Sequence, residues 1–162
     1  MSPFKLTGIQ YAALPYRLRG RQLQVMLITS RRTRRWIIPK GWPMAGLSPQ
    51  EAAAREAAEE AGIAGQIAER PIGSYRYLKR GKGEDTLAIQ VIVFPFRVED
   101  HVAAFKEKGQ RMFGWFDYQE AAIRIAEPSL KRLIRDFGDM QAPGFIARGL
   151  RAYRAWRFGG QA

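Results

Sequence analysis

Apolar residues gather in short runs along the chain, and most of these runs have the length and composition of strands. IQYAALPYRL and QLQVMLITS, joined by RGR, predict a hairpin. WIIP predicts a short buried strand, QIAERPIGSYRYL predicts one or two strands, and EDTLAIQVIVFPFRV predicts the longest, central strand. RMFGWFDY predicts a further strand, with YQEAAIRIA and PSLKRLIRDF as helices after it. KGWPMAG is expected to be a loop, because its glycines and prolines disfavour regular structure.

One alanine-rich segment, SPQEAAAREAAEEAGI, predicts a helix with well-defined ends. Ser48 is a good N-cap, Pro49 suits the first helical position, and Glu51 completes a capping box. Gly62 suits the left-handed conformation that ends helices. Short strands around this helix, with more helix near the C-terminus, predict an α+β fold, namely an α/β/α sandwich with a mixed β-sheet.

The chain has 162 residues, which is enough for one domain with a single core, and no linker divides it. We expect this domain to cover residues 1–142. Residues 143–162 are expected to be a basic, aromatic, helical extension of it, because arginines recur there at helical spacing between aromatic residues. Such an extension would pack its aromatic side chains on the domain, bind a polyanion or form an oligomer, and the sequence pattern fits all three.

Residue usage excludes several classes of site. The absence of cysteine excludes disulfides and thiolate metal sites, and suits the reducing cytoplasm in which we expect the protein. With one histidine, His101, neither a histidine-based zinc site nor a Ser-His-Asp triad is expected, and we place this residue on the surface. No apolar run approaches the roughly 18 residues of a membrane span, so no membrane partner is expected.

The chain is strongly basic, with 27 Lys and Arg against 15 Asp and Glu and a net charge of +12. This excess favours a polyanionic partner: a nucleic acid, an anionic membrane or a small polyphosphate. Charge alone does not choose among them.

Three glutamates of the predicted helix stand out in so basic a chain. Glu56, Glu59 and Glu60 are spaced at i, i+3 and i+4, so they share one face, where like charges repel. One interpretation is a solvated acidic surface. The other is a site for a hard divalent cation, because carboxylate oxygens together with substrate phosphates suit Mg²⁺ or Mn²⁺.

The residues around these glutamates resemble the signature of the Nudix hydrolases. That signature is Gly, five residues, Glu, seven residues, Arg-Glu, an aliphatic, any residue, Glu-Glu, any residue, Gly and an aliphatic. Here it runs GWPMAGLSPQEAAAREAAEEAGI, with Leu47 where the first Glu is expected and Ala57 at the first aliphatic position. WIIPKGW before it and QRMFGWFDYQEA after it are also similar, so the resemblance covers roughly Gln10 to Phe137.

The resemblance implies a Nudix hydrolase domain that splits a diphosphate bond with the help of Mg²⁺ or Mn²⁺ bound on the helix. Carried onto this sequence, Glu56 and Glu60 are the expected metal ligands, and Gly41 is expected to lend a backbone carbonyl. Glu59 is the candidate base that activates water, with metal ligation as its alternative role, and Arg55 would orient a carboxylate by a charge-assisted pair. Because the family varies on this point, other carboxylates could supply a further ligand or the base: Glu84, Asp85, Glu99, Asp100, Glu107 and Glu120.

Within the family, PKGW, the basic cluster after SYRY, and GQRMFGWF most resemble the diphosphoinositol polyphosphate and dinucleoside polyphosphate phosphohydrolases. Their substrates are highly anionic, which matches the charge of this chain. The candidates for holding phosphate are basic residues expected beside the cleft: Arg32, Arg34, Lys40, Arg76, Lys79, Arg80, Lys82 and Arg111.

Two alternatives remain. The first stays in the family, as a pyrophosphatase of ADP-ribose or a nucleotide sugar, which would depend more on aromatic stacking. Aromatic residues flank the loop and alternate on a strand, where we expect them to pack in the core or at its rim, with stacking on a base as the alternative role: Trp36, Trp42, Tyr75 and Tyr77. The second is a nucleic-acid-binding module that uses the RRTRR turn and the C-terminal extension. The glutamate cluster argues against the second alternative, because without metal its charges would repel phosphate.

Overall fold

The predicted strands and helices form one eight-stranded sheet with helices on both faces, in a computed structural model that describes residues 6–81 and 85–141. The strands are β1 (Leu6–Arg19), β2 (Gln22–Thr29), β3 (Trp36–Ile37), β4 (Lys40–Gly41), β5 (Ile63–Ile67), β6 (Gly73–Arg80), β7 (Thr86–His101) and β8 (Phe113–Asp117). The helices are α1 (Pro49–Ala61), α2 (Tyr118–Arg124) and α3 (Pro128–Gln141). Lys82 and the expected extension over residues 143–162 lie outside the described residues.

The sheet is mixed because β1 pairs with its neighbours in two directions. β1 and β2 form the expected antiparallel hairpin, whereas β1 and β7 run parallel over most of β1. β7 is the longest strand, and β5 and β6 pair antiparallel with different parts of it. β8 pairs with β2. The predicted α+β sandwich with a mixed sheet is therefore confirmed.

Helix α1 has the ends that its sequence predicts. Ser48 is the N-cap, and its main-chain N–H donates to the Glu51 carboxylate at 2.7 Å while its hydroxyl accepts from the Glu51 N–H, which completes the capping box. Gly62 ends the helix at φ 62°, in the left-handed region, and donates its N–H to the carbonyl oxygen of Ala58 at 3.1 Å. The helix boundaries are thus set by local interactions.

The two faces of the sheet carry different cores. Small side chains of α1, including Ala53 and Ala57, pack on one face against Phe94 and its neighbours. α2 and α3 cover the other face, where Leu130 and Ile134 join a cluster with residues of β1, β6 and β7. Because the α1 side chains in this contact are alanines, its backbone lies close to the sheet. None of the described helices is long and apolar enough to cross a membrane.

The loop expected over KGWPMAG was wrong for its first two residues. Lys40 and Gly41 form the short strand β4, which pairs with Ala12 and Tyr11 of β1. Regular pairing is possible there because Gly41 has no side chain on the side that faces α1, and Pro43, which cannot donate to a ladder, comes only after the strand has ended. This pairing brings the main chain of β4 against α1.

Candidate metal and substrate site

Helix α1 meets the main chain of β4 at two of its glutamates. A Cβ atom at Gly41 would overlap the side chain of Glu56, so only glycine lets this carboxylate lie against β4. One turn further along α1, the Glu60 Oε2 atom accepts a hydrogen bond from the main-chain N–H of Lys40 at 3.2 Å. The two expected metal ligands and Gly41 are therefore brought together.

Glu60 also belongs to a buried ion-pair network centred on Arg111. The Nη2 atom of Arg111 lies 2.8 Å from Glu60 Oε1, and its Nε atom lies 2.8 Å from Glu107 Oε2. The Nη1 atom of Arg111 donates to the carbonyl oxygen of Thr29 at 3.0 Å. The Arg111 side chain is only 8% exposed, so protein partners surround its guanidinium. Burial raises the pKa of Glu60 to about 7, although Arg111 and Lys40 act to lower it.

Glu59 is held by the loop over residues 102–112, which connects β7 to β8. Its Oε2 atom pairs with the ammonium of Lys106 at 3.2 Å, and Lys106 is largely exposed. The carbonyl oxygen of Glu59 accepts the N–H of Glu107 at 3.0 Å. Phe105 of the same loop packs so closely on Gly62 that a Cβ atom there would overlap its ring. The 102–112 loop thus closes over the C-terminal end of α1.

Glu56 differs from its two neighbours, because its half-buried carboxylate forms no hydrogen bond or ion pair with any described residue. Burial raises its pKa, and the charges of Glu59 and Glu107 raise it further. Arg55 is exposed and, within the described parts of the chain, pairs with no carboxylate. The role of Arg55 in orienting a carboxylate stays a prediction.

The oxygen atoms at this contact suit a hard divalent cation, although the described side chains do not form a complete set of metal ligands. Within residues 6–81 and 85–141, no three Asp, Glu or His side chains are grouped closely enough to hold a metal by themselves. Glu56 nevertheless offers an unpaired carboxylate, lodged where the missing side chain of Gly41 leaves room for it. Mg²⁺ and Mn²⁺ favour such oxygen donors and commonly take one or two carboxylates plus substrate phosphates. Glu56, Glu60 and the main chain at Gly41 are the residues that would hold the metal.

The basic residues of β6 divide between the two faces of the sheet, because side chains alternate along a strand. Tyr75 and Tyr77 belong to the face that carries α2 and α3, and Lys79 continues this series. Arg76 and Arg80 project from the other face and are exposed. The candidates expected in one cluster are therefore separated by the sheet.

Two of the candidate lysines lie over aromatic rings. The Lys40 ammonium lies 5.3 Å from the ring centre of Tyr77, and the Lys79 ammonium lies 5.5 Å from that of Trp42. Trp42 is 44% exposed, and its ring covers Gly8, where a Cβ atom would come within 2.7 Å of it. Burial lowers the pKa of Lys40, whereas nearby carboxylates, Glu60 first, act to raise it.

The RRTRR turn, which holds two further candidates, contacts the 102–112 loop. Arg34 has a left-handed backbone at φ 57° and donates from Nη1 to the carbonyl oxygen of Gln110 at 3.1 Å. Arg32 is exposed. Arg31, which was not a candidate, pairs with Glu107 at 3.1 Å and so joins the network around Arg111. The turn therefore supports the 102–112 loop.

Sequence reasoning missed a carboxylate near the lysines. Burial lowers the pKa of Lys40 and raises the pKa of Tyr75, and the charge of Glu127, just before α3, acts to raise both. Glu127 was absent from the candidate carboxylates, although Glu120, at a similar distance along the chain, was among them. His101, expected on the surface, is exposed, which is confirmed.

Comparisons with known proteins agree with this arrangement. A family model described as NUDIX domain matches residues 9–137. The chain is 30% identical over 115 residues to Nudix hydrolase 18, mitochondrial, of Arabidopsis thaliana, covering 67% of this chain and 63% of that protein. It is 30% identical over 123 residues to Nudix hydrolase 21, chloroplastic, of the same plant, covering 74% of this chain and 60% of that protein. The chain thus spans about three-fifths of the length of these curated relatives.

Solved structures show the same fold. A binary complex of C. elegans Ap4A hydrolase aligns with a TM-score of 0.61 and 22% identity, over 83% of this chain and 97% of that one. The NUDIX domain of Shewanella oneidensis NrtR complexed with ADP ribose aligns with a TM-score of 0.60 and 14% identity, over 84% and 92%. The family model covers most of the chain, including α1 and the sheet around it, and the chain therefore belongs to the Nudix family.

Proposed function

We propose that this protein hydrolyses phosphoanhydride bonds in polyphosphorylated small molecules, with Mg²⁺ or Mn²⁺ held by α1. The observation that carries this proposal is the contact between α1 and β4. There the carboxylates of Glu56 and Glu60 meet the main chain of Gly41 and Lys40, beside lysines that no described carboxylate pairs with. A site with acidic donors for a metal and free cations for phosphate suits a metal-bound polyphosphate.

The residues of the chain would divide the work as follows. Glu56 and Glu60 would bind the metal, and the Lys40 N–H and Arg111 would fix the orientation of the Glu60 carboxylate. When bound, the metal supplies charge neutralisation and polarisation of phosphoryl oxygens. Glu59 is the candidate base that takes a proton from water.

The pairing of Glu59 sets a condition on this role. Lys106 holds the Glu59 Oε2 atom at 3.2 Å, so this oxygen has to leave the ammonium before it can take a proton from water. Lys106 is exposed and free to turn away, so we propose that it leaves Glu59 when an anionic substrate arrives.

For the substrate, we propose dinucleoside polyphosphates or diphosphoinositol polyphosphates. Two observations support a highly anionic ligand: the net charge of +12 and the exposed Lys79 near the site. Dinucleoside polyphosphates gain some support from the similar fold of the C. elegans Ap4A hydrolase.

Hydrolysis of ADP-ribose or a nucleotide sugar is the second candidate. It is favoured by the exposed ring of Trp42, which suits stacking on a base. The similar NrtR domain is complexed with ADP ribose. Nucleic-acid binding without hydrolysis would instead give salt-sensitive affinity for long polyanions and no effect of Glu60→Gln. A cytoplasmic location stays a prediction, which cell fractionation would test.

The test is turnover of a substrate panel with product masses as the readout. The panel holds a diphosphoinositol polyphosphate, a diadenosine polyphosphate, ADP-ribose, nucleoside triphosphates and a 5′-triphosphate RNA, each with Mg²⁺ or Mn²⁺. We expect metal-dependent cleavage of one class, with a loss of roughly a hundredfold or more in Glu60→Gln, because a metal contributes several kcal/mol to the reaction. Glu69→Gln, an exposed glutamate in the connection between β5 and β6, is the matched control. No turnover of any panel member by the folded, metal-bound protein would overturn the proposal.

A further inference from the structure

We propose that residues 142–162 fold back onto the domain and fill an apolar groove beside helix α3. The groove lies between the second half of α3 and the connection from β5 to β6, with β1 and β7 at its floor. Its occupant is thus a segment of this chain. This packing does not depend on the proposed function, because it gives the basic, aromatic extension a structural role and leaves the chemistry to α1.

The groove is large, apolar and open. Pro71 and Ile72 line it from the connection between β5 and β6. Phe137 and Met140 line it from α3, and Met140 is 60% exposed. The volume of the groove is about 580 Å³. Since a closed cavity of about 150 Å³ already holds a benzene ring, the groove has room for several large side chains.

The chain itself leads from the groove into the segment. Gln141, the last described residue of α3, lines the groove. Pro143 and Gly144 come next but one, and this pair of residue types favours a turn. Phe145 and Ile146 follow directly, so apolar side chains are available as soon as the chain has reversed. A segment tethered at the edge of a groove has a high effective concentration there, which favours it over a free partner.

The segment has the apolar side chains that such a groove requires. Ile146, Leu150 and Tyr153 recur at i, i+4 and i+7, which predicts one apolar face of a helix. Trp156 comes three residues after Tyr153 and extends this face. Left in water, these side chains would form a contiguous apolar patch of the kind that folded proteins rarely expose without a partner.

The charges of the groove and the segment are complementary. Among the described residues that line the groove, Asp136 carries the only charge, and no described cation pairs with it. Residues 142–162 contain no carboxylate and four arginines: Arg148, Arg151, Arg154 and Arg157. An arginine beside the apolar face can therefore pair with Asp136. A polyanion does not suit this groove, because its lining charge is negative.

The groove is separate from the metal site and lies at the end of the part shared with the family. The family model stops at residue 137, so the segment lies outside that shared part. Glu127, just before α3, acts on Lys40, whereas the groove is lined by the second half of the helix. Helix α3 has 14 residues and is therefore about 21 Å long. Changes in the groove should accordingly affect stability and leave the metal site intact.

The first experiment asks whether Trp156 lies at the groove in the full chain. Because the chain has no cysteine, a nitroxide attached at Glu69→Cys marks a single site, in the connection that lines the groove. We expect it to broaden the indole N–H signal of Trp156 in NMR spectra, a signal identified by its loss in Trp156→Phe. A nitroxide at Arg32→Cys, an exposed position just before β3 at the opposite end of the sheet, should leave that signal sharp.

The other occupants give different results in the same experiment. In a mixture of nitroxide-carrying chains with isotope-labelled chains, the Trp156 signal should stay sharp, because the segment docks on its own domain. Broadening in the mixture would mean that the segment fills the groove of a second copy, which overturns the proposal. Broadening by neither nitroxide would also overturn it, because the segment would then lie elsewhere and be available to a polyanion.

The second experiment measures burial at the groove by melting temperature. Met140→Gln would place an amide beneath the segment, so we expect the melting temperature to fall by about 3 °C or more. Ile123→Gln on α2 is the matched control, because Ile123 is 68% exposed and does not line the groove, and its shift should stay within about 2 °C.

Coupling between the groove and the segment gives the last check. Leu150→Gln should lower the melting temperature by a similar amount, and adding it to Met140→Gln should lower it further by less than the sum, because both changes disrupt one contact. Equal shifts in Met140→Gln and Ile123→Gln, or strictly additive shifts in the double variant, would overturn the proposal.

Discussion

Two groups of basic residues lie near the contact between α1 and β4, and different partners hold them. Arg111 and Lys106, in the 102–112 loop, form ion pairs with those glutamates at 2.8 and 3.2 Å. Lys40 and Lys79 lie over aromatic rings, and no described carboxylate is within ion-pair distance of them. The first group already neutralises carboxylates in the protein, whereas the second group has its charge available for a ligand.

The net charge of the chain therefore does not show which individual cations are available to bind a ligand. All four residues contribute equally to the charge of +12, and three of the four were expected from the sequence to hold phosphate. What distinguishes them is whether a carboxylate lies within reach. Removing one member of a buried ion pair leaves the other charge buried without a partner, whereas an exposed, unpaired cation can be removed at little cost.

The largest effect expected from this comparison is that of Arg111→Leu. Removing the guanidinium leaves the carboxylates of Glu60 and Glu107 mostly buried without their partner, and breaking such a pair costs about 3–5 kcal/mol. Urea denaturation in the absence of metal, followed by circular dichroism, measures this loss in the free energy of unfolding. Lys79→Gln serves as the control, with an expected change within about 0.5 kcal/mol, because its side chain is exposed and unpaired.

If the free energy of unfolding of Arg111→Leu falls by less than about 1 kcal/mol, the two groups of cations do not differ in the way proposed. Arg111 would then behave as a surface cation. The same measurement with added Mn²⁺ gives a second check. The metal should restore part of the lost stability, because a metal on Glu60 supplies the positive charge that the variant lacks.

The second effect is a dependence of metal affinity on pH, and it arises at Glu60. The carboxylate of Glu60 contacts both groups, through the guanidinium of Arg111 and the main-chain N–H of Lys40. Its pKa is raised to about 7 in the folded protein, from an ordinary value of 4.5, with burial as the largest cause. A metal binds the ionised carboxylate, so a proton competes with it below the folded-state pKa. Mn²⁺ affinity, measured by electron paramagnetic resonance, should fall by about tenfold per pH unit below pH 7 and level off above it.

The stability of the metal-free protein should depend on pH in the opposite direction. Between pH 4.5 and about 7 the folded state holds a proton at Glu60 that the unfolded state has released. Stability therefore decreases as pH rises through this window and is constant above it, as far as Glu60 is concerned. In Glu60→Gln both dependences should be reduced. A wild-type Mn²⁺ affinity that does not change between pH 6 and 8 would contradict the raised pKa.

The sequence predicted those parts of the fold that local interactions decide. The ends of α1 follow from Ser48, Glu51 and Gly62, whose effects reach no more than four residues. The hairpin and the long strand β7 follow from runs of apolar residues. The strand β4 was missed because its partner β1 lies some 30 residues away, and glycine and proline within the segment favoured a loop.

Of the site, the sequence predicted only the residues that share one face of helix α1. The shared face of Glu56 and Glu60 follows from helical spacing alone. Two partners of Arg111, Glu60 and Thr29, come from distant segments, and no local signal links it to Glu60. The opposite placement of Lys79 and Arg80 depends on the register of β6 on β7, which a sequence read without strand pairing does not supply.

The smallest effect expected is that of Lys106→Gln, which tests whether the 102–112 loop competes with the metal. The Lys106 side chain is 70% exposed, and exposed ion pairs contribute about 0–1 kcal/mol, so the free energy of unfolding should change by no more than about 1 kcal/mol. Mn²⁺ affinity should rise by a few-fold at most, because Glu59 no longer has a cation beside it. Arg135→Gln, an exposed position on α3, is the control for the change in net charge.

The direction of the change in Mn²⁺ affinity shows what Lys106 does at the site. A rise in Mn²⁺ affinity, absent in Arg135→Gln, means that Lys106 opposes the metal and has to leave Glu59, as the proposed base requires. A fall would mean that Lys106 instead holds the Glu59 carboxylate in the geometry that binds metal. The loop cations would then be positioning residues, and the phosphate would meet only the lysines over Tyr77 and Trp42.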